Sequence, residues 1–470
     1  MKKLILILSA IVLLFWKSYG ITVTPGGLES AMEATDVSTM TDLVIDGSVD
    51  ARDFHFIASN MTSLKHLDLT NAKVEAYSGK EYLFANILNY GANELPVGCF
   101  AGMPLETILL PNTLVSVSDG AFAGCLSLSS ISIPESVREI GDYAFSGDLL
   151  LVSANLGSGV TEIGDYTFSK CVALNEVNMP AVQIIGAYAF LGCEAMRVVD
   201  FSVDLIAIGE GAFKESGIVS ANLKECRGLS VISAWAFADT KSLSTVVLPE
   251  TVSTIGEGAF FYSTALEKAV LPEGVAVINN YAFGSTDQLV EDDFLPSTIT
   301  KIGDYAFEDW HSVVKFVIPE NVEYIGKGAF KDCEALSLLE AKPVVPPVLG
   351  EDVWENVDKT AIQLEVPIVS SAAYKNADQW RDFFFSGSFV EENIDYSKVK
   401  FTVNDDIITL TADAGLKGAT IFDLSGIILV EKVVSSPSVS FDLSGYSAKA
   451  YIVRCVCADG IVKFIKFGVK

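Results

Sequence analysis

A phenylalanine returns every 22 to 24 residues through the middle of this 470-residue chain, usually with Ile-Gly four to five residues ahead of it. Self-similarity at a fixed short period indicates a solenoid, in which each coil buries its apolar residues against the coils on either side. The spacing therefore predicts a stacked array of about eleven or twelve coils. The repeating positions are Phe100, Phe122, Phe145, Phe168, Phe190, Phe213, Phe237, Phe260, Phe283, Phe307 and Phe330.

One coil shows how the repeat works. The segment Leu128-Ser-Ser-Ile-Ser-Ile133 has the L-x-x-L-x-L pattern of a leucine-rich repeat, in which a short strand alternates inward and outward side chains. Pro134 ends the strand because it has no N–H for the ladder. Gly141 permits a tight turn, and Phe145 closes the coil. The predicted fold is an α/β-type solenoid with a parallel β-sheet on its concave face.

The period also divides the chain. Residues 21–94 are expected to form an N-terminal cap, with a helical segment from Gly26 to Met40 and a first leucine-rich unit; residues 95–340 hold the repeats. Residues 341–390 are expected to close the array, with a strand Gln363–Pro367 and a short helix from Ser370 toward Trp380. Residues 391–470 predict a small all-β sandwich of seven strands. These strands are Val399–Val403, Ile407–Thr411, Ala419–Phe422, Ile427–Val433, Ser438–Phe441, Tyr451–Val456 and Ile461–Phe467.

Residues 1–20 have the pattern of a secretory signal. Two lysines precede the apolar run Leu4–Trp16, and small residues follow it. The run is shorter than the roughly 20 residues that span a bilayer as a helix. We therefore predict export through the inner membrane, a mature chain that starts near Ile21, and no membrane-spanning segment.

The charge balance argues against two classes of partner. The chain has 32 basic and 60 acidic residues, a net charge of -28. Such a surface repels nucleic acid and anionic membranes. The acidic residues are spread along the chain, as in many soluble exported proteins.

The eight cysteines are too sparse for a disulfide scaffold. Four of them stand three residues after a repeating phenylalanine, where other coils have serine or threonine, so a small buried slot explains them. Cys171 and Cys193 lie in adjacent coils, and a bond between them is the alternative. The four are Cys125, Cys171, Cys193 and Cys333.

Residues 95–340 resemble the BspA-like leucine-rich repeats of bacterial surface proteins. The copies Ile302-Gly-Asp-Tyr-Ala-Phe307 and Ile325-Gly-Lys-Gly-Ala-Phe-Lys-Asp-Cys333 carry the resemblance. It implies a cell-surface or secreted binding protein, outer-membrane-associated or extracellular, whose partner is a host matrix protein, a microbial surface protein or a polysaccharide. A surface spacer without a bound ligand is the alternative.

The C-terminal region resembles the sorting domain of the type IX secretion pathway, on the segments Ile421–Gly426, Val439–Leu443 and Tyr451-Ile-Val453 and on a basic end. The resemblance implies recognition by the secretion machinery. Lys449-Ala450 stands where that family usually has a glycine. An accessory sandwich domain is the alternative.

The outward side chains of the predicted strands suggest where a ligand binds. Leucine-rich repeats commonly bind through the concave face, and here an amide-rich stretch is followed by valines. Ordinary solubilising polarity and strand propensity are the alternative explanation. The candidate residues are Asn155, Asn178, Asp200, Asn222, Val247 and Val270.

Enzyme chemistry finds little support in the sequence. The three histidines, His55, His66 and His311, lie in separate regions, and none stands in a nucleophile motif. The acidic runs 291–293 and 404–406 lack the spacing of a calcium loop. We expect no catalytic site, no cofactor and no metal.

Overall fold

The computed structural model describes residues 19–79, 83–84, 87–289, 294–389, 399–404, 407–423, 427–446, 450–458 and 462–468. Most of the predicted signal therefore lies outside the described residues, and Tyr19 and Gly20 begin the first strand. The acidic run 291–293 and residues 405–406 also lie outside them. The chain forms two compact units, Met1–Val270 and Leu271–Lys470.

Most coils contribute a strand of three to six residues, here called a face strand. In the first unit the face strands form parallel sheets whose partners stand about one repeat apart, so that Ile131 pairs with Ala154 and Ala154 with Val177. The face strands of this unit are Thr107–Leu109, Ser130–Ser132, Ser153–Asn155, Glu176–Asn178, Ser220–Asn222, Thr245–Val247 and Lys268–Val270. Those of the second unit are Lys315–Ile318, Leu338–Ala341, Gln363–Pro367 and Phe384–Phe389.

A second, two-residue strand stands just before the turn of each coil and is here called a corner strand. Its second residue is apolar and points inward. Parallel pairing joins corner strands of successive coils within each unit, except that in the first unit it is interrupted between Ala207–Ile208 and Val231–Ile232. Those of the first unit are Glu94–Leu95, Ser116–Val117, Glu139–Ile140, Glu162–Ile163, Ile184–Ile185, Ala207–Ile208, Val231–Ile232 and Thr254–Ile255. Those of the second are Val277–Ile278, Lys301–Ile302, Tyr324–Ile325 and Val348–Leu349.

The repeating phenylalanines form a stacked column inside the coils. Phe122 and Phe145 are parallel within 2° with ring centroids 5.1 Å apart, and Phe237 lies between Phe213 and Phe260 at 5.4 and 5.6 Å. The turn that carries them also bonds from coil to coil, as where the Phe122 N–H donates to the carbonyl of Ala144 at 2.8 Å. The column is therefore the core of the array, as the period predicts.

A second aromatic column lies on the surface, two positions before the buried one. Tyr143, Tyr166 and Tyr188 adopt the left-handed conformation that non-glycine residues avoid, and their rings stack at 4.8 and 5.0 Å. Gly211 follows, and a Cβ there would lie 2.3 Å from the Tyr188 ring. Stacking between coils thus accompanies an unfavourable backbone conformation.

The caps differ from expectation in their helices. The segment from Gly26 to Met40 holds only the helix Leu28–Ala31 and the 3₁₀ turn Val37–Thr39. The main N-terminal helix is Ala51–Asn60, which begins with a capping box between Asp50 and Asp53. The remaining strands before the repeats are Tyr19–Val23, Asp42–Val49, His66–Asp68, Ala72–Val74, Tyr77–Ser78 and Asn89–Tyr90.

The closing cap has the strand Gln363–Pro367 as predicted, followed by the helix Ser371–Asn376. The ring of Trp354 stacks on Phe330 at 4.7 Å and 6°, so the buried column continues one position beyond its last phenylalanine. Short 3₁₀ turns complete the cap at Lys359–Ala361, Ile368–Ser370 and Trp380–Asp382. In the described residues helices thus occur only in the caps, and the α/β description does not fit the repeats themselves.

The C-terminal region is all-β, but its described strands belong to one antiparallel sheet, so the predicted sandwich is not confirmed. Five strands replace the seven predicted, because two pairs of predicted strands are each continuous. Register shifts between Thr411 and Gly418, with Gly415 at φ 81°, bend the longest strand without ending it. The strands are Val399–Asn404, Ile407–Asp423, Ile428–Asp442, Ala450–Cys457 and Val462–Gly468.

Candidate binding face

The outward residues of the face strands form two groups in the first unit. In the first group Asn155 lies directly opposite Asn178, with Ala154 and Val177 beneath them. Both asparagines are exposed. The strand register therefore brings these two predicted site residues together.

A side-chain hydrogen bond fixes this pair. The Nδ2 of Asn178 donates to the Oδ1 of Asn155 at 2.8 Å. Within the described residues, the amide nitrogen of Asn155 and the amide oxygen of Asn178 have no protein partner. The pair thus offers one donor and one acceptor in a defined geometry, which suits a peptide group or a hydroxyl of a ligand.

The second group consists of Asn222, Val247 and Val270, which lie opposite one another on three successive face strands. Asn222 is exposed and its Oδ1 accepts the backbone N–H of Lys224 at 3.3 Å. Val270 is 40% exposed, whereas Val247 is half-buried. This group is a small polar-to-apolar patch.

Asp200 lies between the two groups, where the sheet is interrupted. Only an isolated bridge between Val198 and Ser220 continues the pairing there. Phe201 occupies the inward position that Met179 and Leu223 occupy in neighbouring coils, and its ring packs edge-on against Phe213 at 5.6 Å. The candidate residues therefore lie on two short sheets, with exposed Asp200 between them.

A buried column of side chains stands three residues after the repeating phenylalanines; most of them are small, and Met103 and Trp310 are the large members. The thiols of Cys171 and Cys193 donate to the carbonyls of Phe145 and Phe168 at 3.1 and 3.2 Å. All eight cysteines are buried, and Cys171 and Cys193 are free thiols, so the alternative of a bond between these two is not realised. Burial raises the pKa of these thiols and makes them poor nucleophiles.

Asp148 is the exception in this column, because it places a carboxyl group where its neighbours have thiols. Its side chain is fully buried, and burial raises its pKa to about 8 although the backbone N–H of Cys125 donates to it. The sequence analysis missed this residue. The signal was available, since Asp148 stands three residues after Phe145, as Cys171 does after Phe168.

The histidines stay apart, as their sequence positions indicate. The Nδ1 of His66 lies 3.0 Å from the Oγ1 of Thr107, and burial lowers the pKa of this histidine. His55 packs edge-on against Phe84. Among the described residues no group of three or more His, Cys, Asp or Glu side chains is placed to hold a metal ion, and no helix is long and apolar enough to cross a membrane.

Strands paired in parallel from coil to coil, an internal phenylalanine column and an exposed strand face define a leucine-rich repeat solenoid. Residues 93–219, 161–290, 207–337 and 290–390 match the family described as BspA type leucine rich repeat region, with six copies. The chain belongs to this family. The prediction of BspA-like repeats is confirmed, and the matched region runs from residue 93 to residue 390, through the segment predicted as the closing cap.

Several solved structures are similar to this chain. A leucine-rich repeat protein from Bacteroides ovatus has a TM-score of 0.50 and 19% identity, covering 79% of this chain and 91% of its own. A leucine rich cell surface protein from Faecalibacterium prausnitzii has a TM-score of 0.34 and 22% identity, covering 57% of this chain and 86% of its own. The first of these likenesses shows the shared fold. No curated protein matches the chain.

Proposed function

We propose that this chain is a non-enzymatic binding protein of the cell surface or the extracellular space. It recognises a host or microbial protein, or a polysaccharide, through the exposed side chains of its face strands. The observation that carries the proposal is the bonded pair of Asn178 and Asn155, because exposed amides held in one geometry present a preformed contact to a ligand.

The experiment is a binding screen of the purified chain against arrays of host matrix proteins and polysaccharides. A saturable hit that is weakened by combining Asn178→Ala with Asn222→Ala supports the proposal. A hit that both substitutions leave intact places the contact elsewhere.

A spacer that displays other partners is the alternative function. The stacked coils are compatible with a spacer, because a repeat array in which each coil contacts only its neighbours can hold other partners apart. It predicts that changes on the strand face leave every adhesion phenotype intact.

We further propose that the C-terminal region is a sorting domain read by a secretion machinery. The segments that suggested it form the sheet: Val439, Phe441 and Leu443 alternate into its core, and Tyr451 is buried with its hydroxyl donating to Tyr446 at 3.1 Å. Residues 424–426 lie outside the described residues. An accessory domain is the alternative, and the truncation described below distinguishes the two.

A further inference from the structure

In two coils of the first unit, those of Phe100 and Phe213, the turn from the column phenylalanine to the face strand is one residue shorter than in the other coils. Six positions separate the column phenylalanine from the next inward residue in Phe190–Met196 and in Phe237–Leu243, but only five separate Phe213 from Ile218. Ile218 is fully buried, so the inward positions of this coil are kept. The residue that this coil lacks is therefore one of the surface residues of the turn. A cleft of about 320 Å³ lies at this place.

Gly217 and Arg197 line the cleft and contact each other. A Cβ on Gly217 would lie 2.1 Å from the carbonyl oxygen of Glu194, so any larger residue would force the coils apart. The Nη1 of Arg197 donates to the carbonyl of Gly217 at 2.9 Å and to the Oγ of Ser242 at 3.1 Å. These bonds hold the guanidinium across the shortened coil.

Ser216 also lines the cleft and is 3% exposed, yet its Oγ has no hydrogen-bond partner. In neighbouring coils the side chain at this position does find one: the thiol of Cys193 and the hydroxyl of Thr240 both donate to column phenylalanine carbonyls. A buried hydroxyl without a partner is unfavourable. The unmet hydroxyl marks a packing defect of this coil beside the cleft.

The charges around the cleft are mixed. Glu194, Glu215 and Asp239 bring carboxylates, whereas Arg197 and Lys241 bring donors. Within the described part of the chain, Glu215 is the carboxylate of the three that forms an ion pair, with Lys170 at 2.9 Å.

A ligand that carries a charge would meet a repelling group on one side of this cleft. A hydroxyl donates to carboxylates and accepts from Arg197 and Lys241, so a neutral molecule with several hydroxyls satisfies both kinds of group. The volume is at the small end of the roughly 300–1,000 Å³ of ligand sites. We propose that this cleft binds a short stretch of a neutral oligosaccharide.

This inference deepens the proposed function, on which it rests, by naming a ligand class. The cleft is built from residues that precede the face strands, since Arg197 comes directly before Val198 and Gly217 three residues before Ser220. Its variants therefore leave the asparagines of the binding face unchanged. The two proposals can be tested separately on the same protein.

The test is titration calorimetry of the full chain with oligomers of glucose, mannose, xylose and N-acetylglucosamine, after an array screen with the same sugars. The variant combines Glu194→Gln with Asp239→Asn. Its matched control combines Glu334→Gln with Asp332→Asn, because these residues follow Cys333 and Phe330 as the cleft residues follow Cys193 and Phe237. We expect the cleft variant to bind at least about tenfold more weakly, with the control unchanged.

Equal affinity of wild type and the cleft variant, or no saturable binding to any of these oligomers, overturns the inference. If the cleft variant binds normally while Asn178→Ala with Asn222→Ala abolishes binding of a ligand found in the screen, the oligosaccharide cleft is wrong and the proposed function stands. If the cleft variant loses binding while Asn178→Ala with Asn222→Ala binds normally, the cleft is supported and binding through the strand face is rejected.

Discussion

The carboxylate of Asp148 accepts a hydrogen bond from the backbone N–H of Cys125 at 2.8 Å, while its other oxygen has no partner in the protein interior. The Asp148 side chain is fully buried, so its charged form is desolvated and its pKa is raised from 3.8 to about 8. The folded array therefore favours the protonated acid.

This pKa makes stability depend on pH. In the unfolded chain Asp148 loses its proton near the ordinary value of 3.8, whereas the folded chain keeps it to about 8. The stabilisation is thus complete below pH 3.8 and is lost progressively as the pH rises to about 8. The free energy of unfolding falls over this window by up to about 1.4 kcal/mol per pH unit.

We predict that Asp148→Asn raises stability at pH 8 more than at pH 5, because the amide keeps the acceptor for Cys125 and carries no charge. Denaturant unfolding at the two pH values measures this. The control is Asp165→Asn, an exposed residue whose Oδ1 accepts from Ala187. A variant whose pH dependence equals that of wild type contradicts the account.

A second prediction concerns the buried column. Phe237 is fully buried between two stacked rings, so Phe237→Ala leaves a cavity and costs about 3–5 kcal/mol. Hydrogen exchange is expected to speed up around that coil, because each coil depends on its neighbours. Phe384→Ala, at a ring that is 55% exposed, is the control. A melting curve of Phe237→Ala indistinguishable from wild type argues against the column.

The cysteines give a third prediction. All eight are buried, so a thiol reagent is expected to react with very few in the native protein and with eight after denaturation without reductant. Six reactive thiols in the denatured protein would mean that one disulfide forms, and the pair Cys171 and Cys193 would be examined first.

The fourth prediction tests the C-terminal region. Deleting residues 395–470 is expected to abolish surface delivery of the protein, measured by surface labelling of intact cells. Because this sheet contacts the closing cap through Phe422, Ile452 and Val344, secretion of the truncated chain should be checked beside its folding. Unchanged labelling of a folded truncation would identify the region as an accessory domain.

The repeat could be predicted from the sequence because its signal is local and recurs. The column phenylalanines, the alternation of each face strand and the cap strand Gln363–Pro367 all lie where the period places them. The helix Ala51–Asn60 was missed although Asp50 and Asp53 form a capping box. This helix lies outside the repeats, so the repeat pattern does not predict it.

The binding face was less predictable because its continuity depends on pairing between coils. The break at Asp200 accompanies the large ring of Phe201, and the cleft at Gly217 follows from one missing residue. Both are visible in the sequence as departures from the repeat. The repeat pattern, however, predicts only the positions that recur and not the effect of an irregular one. These departures mark where a coil differs from its neighbours.

The most direct test of the binding face is the affinity of a ligand from the array screen, measured by surface plasmon resonance for wild type and for Asn178→Ala combined with Asn222→Ala. The control combines Asn60→Ala with Asn112→Ala, two exposed residues away from the face strands. We predict a loss of roughly tenfold or more in affinity for the face variant, with unchanged melting and an unchanged control. Equal affinity of all three proteins would contradict binding through the strand face.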